Sequence, residues 1–209
     1  MTQMAEDAKN HLPHFNNAVF DIVAIAASAG GITALIKLLS TLPQEFTAAI
    51  AIVQHLAPEY PSVMAEILNR RTALNVKKAK EGDCLTPGTA YVAPPNYHLL
   101  VNSDGTLSLS QSESVHFLRP SADLLFESVA ATYKNRAIAL VLTGTGSDGA
   151  MGVKAIKKMG GIVIVQDIKT AEFPGMPSAA IQTGYVDFIL PLDEISSTLV
   201  TLVREEENG

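Results

Sequence analysis

A single cysteine, Cys84, stands in 209 residues, so no disulfide can form within the chain, and a lone thiol fits a reducing compartment. Tryptophan is missing altogether. Basic residues are too few to dominate: 15 Lys and Arg against 21 Asp and Glu give a net charge of −6. That balance argues against nucleic acid as the main partner, since phosphate binding wants clustered cations. The one local basic run, Lys77-Lys78-Ala79-Lys80, reads as a solvated face. No apolar stretch approaches the roughly 20 residues that span a bilayer, and residues 1–17 lack the apolar centre of a signal peptide. Metal-ligand spacings of Cys and His are absent too, and neither a metal nor another cofactor is called for. What remains is a cytoplasmic protein with one substantial core: a flexible tail over 1–17, in which His11 and His14 are solvated, and a single domain over 18–209.

The stretch around which the rest is organised is Asp21 to Gly31. Asp21 to Ala27, almost unbroken apolar sequence, suits a strand covered on both faces. Four small residues follow, Ser28-Ala29-Gly30-Gly31, and then Ile32, Leu35, Ile36 and Leu39 recur at helical spacing. A strand, a tight turn and a helix lift the Ser28 hydroxyl above the sheet, beside an amide-rich helix start. A nucleophile, a phosphate-binding turn and a plain strand–helix junction all fit that geometry.

The same alternation recurs. Ala48 to Val53 predicts a second strand ending at Gln54-His55, with a helix from Pro61 behind it; Arg119-Pro120-Ser121 opens another helix. Ile138 to Leu142 predicts a strand, Thr143 to Gly149 a glycine-rich turn, and 153–159 a helix stopped by Gly160-Gly161. A further strand runs from Ile162 to Val165. Val186 to Leu190 is a last strand, and Asp193 is expected to cap the C-terminal helix. The middle, Gly82 to Gln111, reads instead as short strands, including Tyr91-Val-Ala, with a hairpin at Asp104-Gly105. The fold expected is α/β: a doubly wound, mainly parallel sheet with helices on both faces and an antiparallel hairpin appendage at one edge.

In such sheets sites gather at the carboxyl ends of strands. Three reactive side chains fall there: Ser28, His55 and Asp148. A hydroxyl needs a base, an imidazole can take and return its proton, and a carboxylate can hold the imidazole and stabilise its charged form. Each also has an ordinary use. Ser28 and Asp148 suit helix caps, and His55 a satisfied core position. His98, inside the expected hairpin, is a rival base. The order Ser, His, Asp differs from that of the usual α/β-hydrolases. A competing motif lies in the same loop. Gly144-Thr-Gly146-Ser-Asp-Gly149 matches a dinucleotide fingerprint, with Asp167 at the next strand end, but Asp148 would oppose a pyrophosphate there.

Taken together, Ser28-Ala-Gly-Gly31, Val53-Gln-His55, Tyr91-Val-Ala-Pro94, Arg119-Pro-Ser121, Leu142-Thr-Gly-Thr-Gly-Ser-Asp-Gly149 and Pro174-Gly-Met-Pro177 resemble the catalytic domain of chemotaxis protein-glutamate methylesterases, over roughly Phe20 to Leu199. The resemblance implies a hydrolase of glutamate methyl esters on chemoreceptor helices, with glutamine deamidation in some members. It implies Ser28 as nucleophile, His55 as general base and Asp148 as its orienting acid. The amide of Thr145, where the family usually has methionine, and that of Gly30 are expected to stabilise the oxyanion. Arg119 and Met176 are candidates for the groove that takes a receptor helix. Family members commonly carry a receiver domain before this one. Here a short tail stands in its place, so a separate regulatory protein, no regulation, or a longer parent protein is expected. A non-catalytic module that binds signalling partners is the alternative, and a dinucleotide-binding protein a weaker one.

Overall fold

The computed structural model describes residues 14–15, 18–55, 63–115 and 118–204. Seven strands form one parallel sheet: β1 (Ile22–Ala27), β2 (Ala49–Gln54), β3 (Asn75–Lys78), β4 (Thr89–Val92), β7 (Ala137–Val141), β8 (Ile162–Gln166) and β9 (Phe188–Leu190), in the order β3-β4-β2-β1-β7-β8-β9. Strands β5 (His98–Val101) and β6 (Leu107–Ser110) pair antiparallel as a separate sheet of two. The helices are α1 (Gly31–Leu39), α2 (Met64–Asn69), α3 (Ala122–Tyr133), α4 (Ala150–Lys158), α5 (Gly175–Gln182) and α6 (Leu192–Val203).

Alternation along β1 sorts the two layers. Ile22, Ala24 and Ala26 face a core built with α3, α4, α5 and the hairpin residues Leu99, Val101 and Leu107. Val23, Ile25 and Ala27 face the opposite core, shared with α1, α2 and α6. Both faces of β1, β2 and β7 are therefore dry, which is why these strands read as continuous apolar runs. Burying each large aliphatic side chain contributes roughly 1.5–3 kcal/mol. No helix among the described residues is long and apolar enough to cross a membrane.

The doubly wound sheet and the helices on both faces are as the sequence leads one to expect. The hairpin is present too, though it packs with α3 over one face of the sheet and not at its edge. Four further details differ. The Tyr91 strand is β4, an interior parallel strand between β2 and β3, and not part of the antiparallel unit. The basic run after Leu74 contributes β3, whose Val76 is buried while Lys77 bonds Asp83 at 2.9 Å. Asp193 does not cap α6. Pro191 holds that position, and Asp193 sits in the first turn, paired with Lys37. His14 is not a free solvated side chain: its Nδ1 lies 2.8 Å from Asp21 Oδ2, and the Phe15 amide donates to Asp21 Oδ1 at 3.0 Å. Arg136 completes that cluster, with Nε 2.6 Å from Oδ2 and a second nitrogen 2.9 Å from Oδ1. Burial raises the Asp21 pKa, but these donors and the guanidinium charge outweigh it and hold the carboxyl below its usual value. His11, Pro61 and most of the expected tail lie outside the described residues.

Candidate active site

The chain leaves β1 for β2 on one side and later returns through β7 on the other, so the order reverses at β1, the position where doubly wound sheets open a crevice. Register then places the site. Ala27 pairs with Gln54, so Ser28 and His55 are each one step beyond the same rung. On the other side Ala26 pairs with Val141, and the Ser28 amide donates to Thr143 O at 3.0 Å. Three consecutive strand ends in the sheet thus deliver Ser28, His55 and the Thr143–Gly149 turn to one rim.

The turn after Ser28 works because Gly30 takes φ +73°, a left-handed value that favours glycine, and serves as N-cap of α1. Glycine is also required at Gly144. A Cβ there would meet the Met176 sulfur and stand 2.8 Å from Ser28 Cβ. Ser28, His55, Gln54, Glu172 and the first residues of α1 line a cleft of about 380 Å³. Gln54 ties its two sides together, its Nε2 donating to Ser28 O at 2.7 Å and His55 O at 3.0 Å.

His55 Nε2 lies 2.8 Å from Asp148 Oδ2, with both side chains largely buried. Because an ionised carboxylate only accepts, Nε2 carries a proton, and in the neutral ring Nδ1 is the nitrogen with the lone pair. Asp148 is seated on the amino end of α3. Oδ1 accepts from Ser121 Oγ at 2.9 Å and the Asp123 amide at 3.1 Å, while Oδ2 also accepts from the Ala122 amide at 2.6 Å. Burial pushes the Asp148 pKa up, yet the His55 and amide hydrogen bonds outweigh it and hold the carboxyl below its usual range. Its neighbour Asp123 goes the other way, raised first by burial and further by the Asp148 charge, while its bond from the Gly152 amide pulls against that rise.

The structure therefore brings His55 and Asp148 into contact and sets Ser28 beside His55 in one cleft. The Ser28 hydroxyl makes no hydrogen bond to any described residue. Contacts between nucleophile and base commonly close up only when substrate enters. No described residue accepts from the Gly30 or Thr145 amides, which leaves both as free donors.

Two residues sit apart from the roles expected of them. Met176 is 1% exposed and packs beneath Gly144, where it shapes the loop. Arg119 spends its guanidinium on Asn96 Oδ1, at 2.9 and 2.7 Å, and on the carbonyls of Gln111 and Ser112. It pins two loops together; among the described residues it has no acid partner, and it is not part of the cleft lining. The rival base His98 is fully buried with both nitrogens engaged, Nδ1 accepting from the Ser121 amide at 3.1 Å and Nε2 donating to Glu113 O at 3.2 Å. Burial lowers its pKa, so it stands neutral behind the Asp148 cradle. In the competing glycine-rich motif, Asp148 is turned inward onto α3 and Asp167 accepts from the Lys169 amide at 2.9 Å. Gln54 and Ser121 were visible only as members of motifs, and Glu172 gave no signal.

Comparison with known proteins places the chain in a family. The profile described as CheB methylesterase matches residues 23–199. A Leptospira interrogans protein, given the protein-glutamate methylesterase/protein-glutamine glutaminase name provisionally, is 43% identical over 183 residues, 88% of this chain and 95% of that protein. A Pyrococcus abyssi protein of the same name is 42% identical over 190 residues, 90% of this chain but 52% of that protein, so this chain spans about half its length. The crystal structure of the Thermotoga maritima CheB methylesterase catalytic domain superposes with a TM-score of 0.85 at 36% identity, covering 88% of this chain and 99% of that one. With the profile running across residues 23–199 and a solved catalytic domain of that family covering 88% of the chain at a TM-score of 0.85, this chain belongs to the CheB methylesterase family.

Proposed function

We propose that the chain hydrolyses methyl esters of glutamate side chains on chemoreceptor helices, in the cytoplasm, through Ser28, His55 and Asp148. The observation that carries this reading is the 2.8 Å His55–Asp148 contact at the edge of the cleft that Ser28 lines. The His55 Nδ1 lone pair takes the Ser28 proton as Oγ bonds to the ester carbon, and the electron pair moves onto the carbonyl oxygen. The Gly30 and Thr145 amides, with no acceptor among the described residues, are the donors this reading assigns to that oxyanion. Collapse breaks the bond to methoxide, which leaves as methanol with the proton from His55. Water then repeats the sequence on the acyl-enzyme, its proton passing to His55 and on to Ser28, and a carboxylate is released. Asp148 holds the imidazole by Nε2 throughout and offsets its transient positive charge. Glutamine deamidation, which appears in the relatives' names, follows the same path with ammonia leaving.

The test is methanol release from methylated receptor membranes. The wild-type chain releases methanol and Ser28→Ala loses at least about a thousandfold of the rate. Undiminished release by Ser28→Ala ends the reading, and folded wild-type protein that releases none favours a binding module. Partners beyond the receptor, such as a separate regulatory protein, belong to the same proposal.

A further inference from the structure

Among the residues lining the cleft, Glu172 is the one that brings a carboxylate. It comes from the β8–α5 connection, and its neighbours are fastened down. The Phe173 amide donates to Thr143 Oγ1 at 2.8 Å, Phe173 O accepts from the Gly144 amide at 2.9 Å, and the Ala171 amide donates to Asp167 O at 3.1 Å. The side chain lies across Gly30. A Cβ built on that glycine would stand 2.9 Å from Glu172 Oε2 and 3.2 Å from its Cβ. None of the described residues gives it a hydrogen bond or an ion pair. A negative group beside the start of α1 is electrostatically comfortable, and helix stabilisation alone would account for the pose. Its place in the wall of the reaction cleft supports a larger role.

We infer that Glu172 acts as a charge filter, admitting the uncharged ester or amide of a glutamyl side chain and disfavouring the carboxylate that hydrolysis leaves behind. This rests on the esterase reading above. The reaction converts a neutral group into an anion within the space that Glu172 borders, and two carboxylates in one cleft repel. For unit charges several ångströms apart in a partly solvated cleft, the repulsion weakens product binding by roughly five- to tenfold, less at high salt. Product release is thereby favoured, and unmethylated glutamates compete poorly for the site.

The experiment uses the full chain and a peptide copying the methylated segment of a receptor helix, made in three forms at the reacting position: methyl ester, free glutamate, and methionine as a neutral, unreactive analogue. Methanol release from the ester form is inhibited with each of the other two. In Glu172→Gln the inhibition constant of the glutamate peptide falls about five- to tenfold relative to that of the methionine peptide, while Glu172→Asp keeps most of the wild-type discrimination. High salt narrows the wild-type gap. An unchanged ratio in Glu172→Gln, or equal shifts for both peptides, overturns the filter and leaves the esterase intact. Absence of methanol release by the folded wild type overturns the esterase reading instead. Dissociation constants of the same two peptides, measured calorimetrically, then decide the filter: no relative gain for the glutamate peptide in Glu172→Gln sinks it.

Discussion

Replacing Asp148 by asparagine probes the candidate triad at its best-defined contact. The carboxylate accepts four hydrogen bonds, two on each oxygen. Asparagine keeps one acceptor. With its NH2 at the Oδ2 position it would point at the Ala122 N–H, 2.6 Å away, and at the His55 Nε2 proton. The reverse orientation is cheaper, because the carbonyl then serves Ala122 and His55, and the Ser121 hydroxyl can turn to accept from the NH2. One donor, the Asp123 amide, is left facing another donor. A buried unsatisfied amide costs about 1–3 kcal/mol, or a fall in Tm of roughly 2–12 °C for a domain of this size. In this orientation His55 keeps its proton on Nε2, so the tautomer survives and the catalytic loss comes from charge. At 2.8 Å the carboxylate–imidazolium attraction has a ceiling near 6 kcal/mol at an effective dielectric of about 20. The amide dipole and the relief of desolvation return part of it, which leaves about 3–4 kcal/mol, or two to three orders of magnitude in kcat with little change in KM. Methanol release under saturating methylated receptor, beside a thermal melt of the same preparation, measures both. A folded Asp148→Asn protein within about tenfold of wild-type kcat would refute the reasoning.

Three further outcomes are expected. His98 is held neutral in the folded state with a depressed pKa, under opposing influence from Arg119 and Asp148; its contribution to stability is therefore complete above the unfolded value of about 6.5 and is lost as pH falls through the folded value, so urea midpoints drop on the acid side and His98→Gln flattens that slope. Arg136→Met strips the buried Asp21 carboxylate of its guanidinium and costs about 3–5 kcal/mol in urea unfolding. Activity per folded molecule survives that change, since Asp21 and Ser28 sit at opposite ends of β1, about 20 Å apart. Gly144→Ala pushes on Ser28 Cβ and lowers kcat by tenfold or more, and adding Met176→Ala does not restore it, because the contact with Ser28 remains.

The parallel strands were legible because Ile22 to Ala27 and Ala49 to Val53 are buried on both faces and carry no polar interruption. Their carboxyl ends could be read directly, and with them the positions of Ser28 and His55. Strand β3 was not legible. Asn75-Val-Lys-Lys78 lies at the sheet edge with one buried residue, so neither alternation nor an apolar run marks it. Local sequence identified the Tyr91 strand but could not say which strands it joins, since pairing with β2 and β3 is a long-range choice. The same limit hid the seat of Asp148, which is made chiefly of backbone amides 25 or 26 residues upstream and has no side-chain signature beyond Ser121. The loop-bracing contacts of Arg119 and Met176 were not legible, because a motif leaves open whether a residue touches substrate or props up a loop.

The reversal of strand order at β1 means that the reactive groups come from both wings of the sheet: Ser28 and His55 from one contiguous stretch of chain, Asp148 from beyond residue 140. A half-assembled sheet would carry an idle serine with an unanchored imidazole. Turnover is thus also a gauge of completed assembly, and a split version of the protein would stay silent until its two pieces found each other.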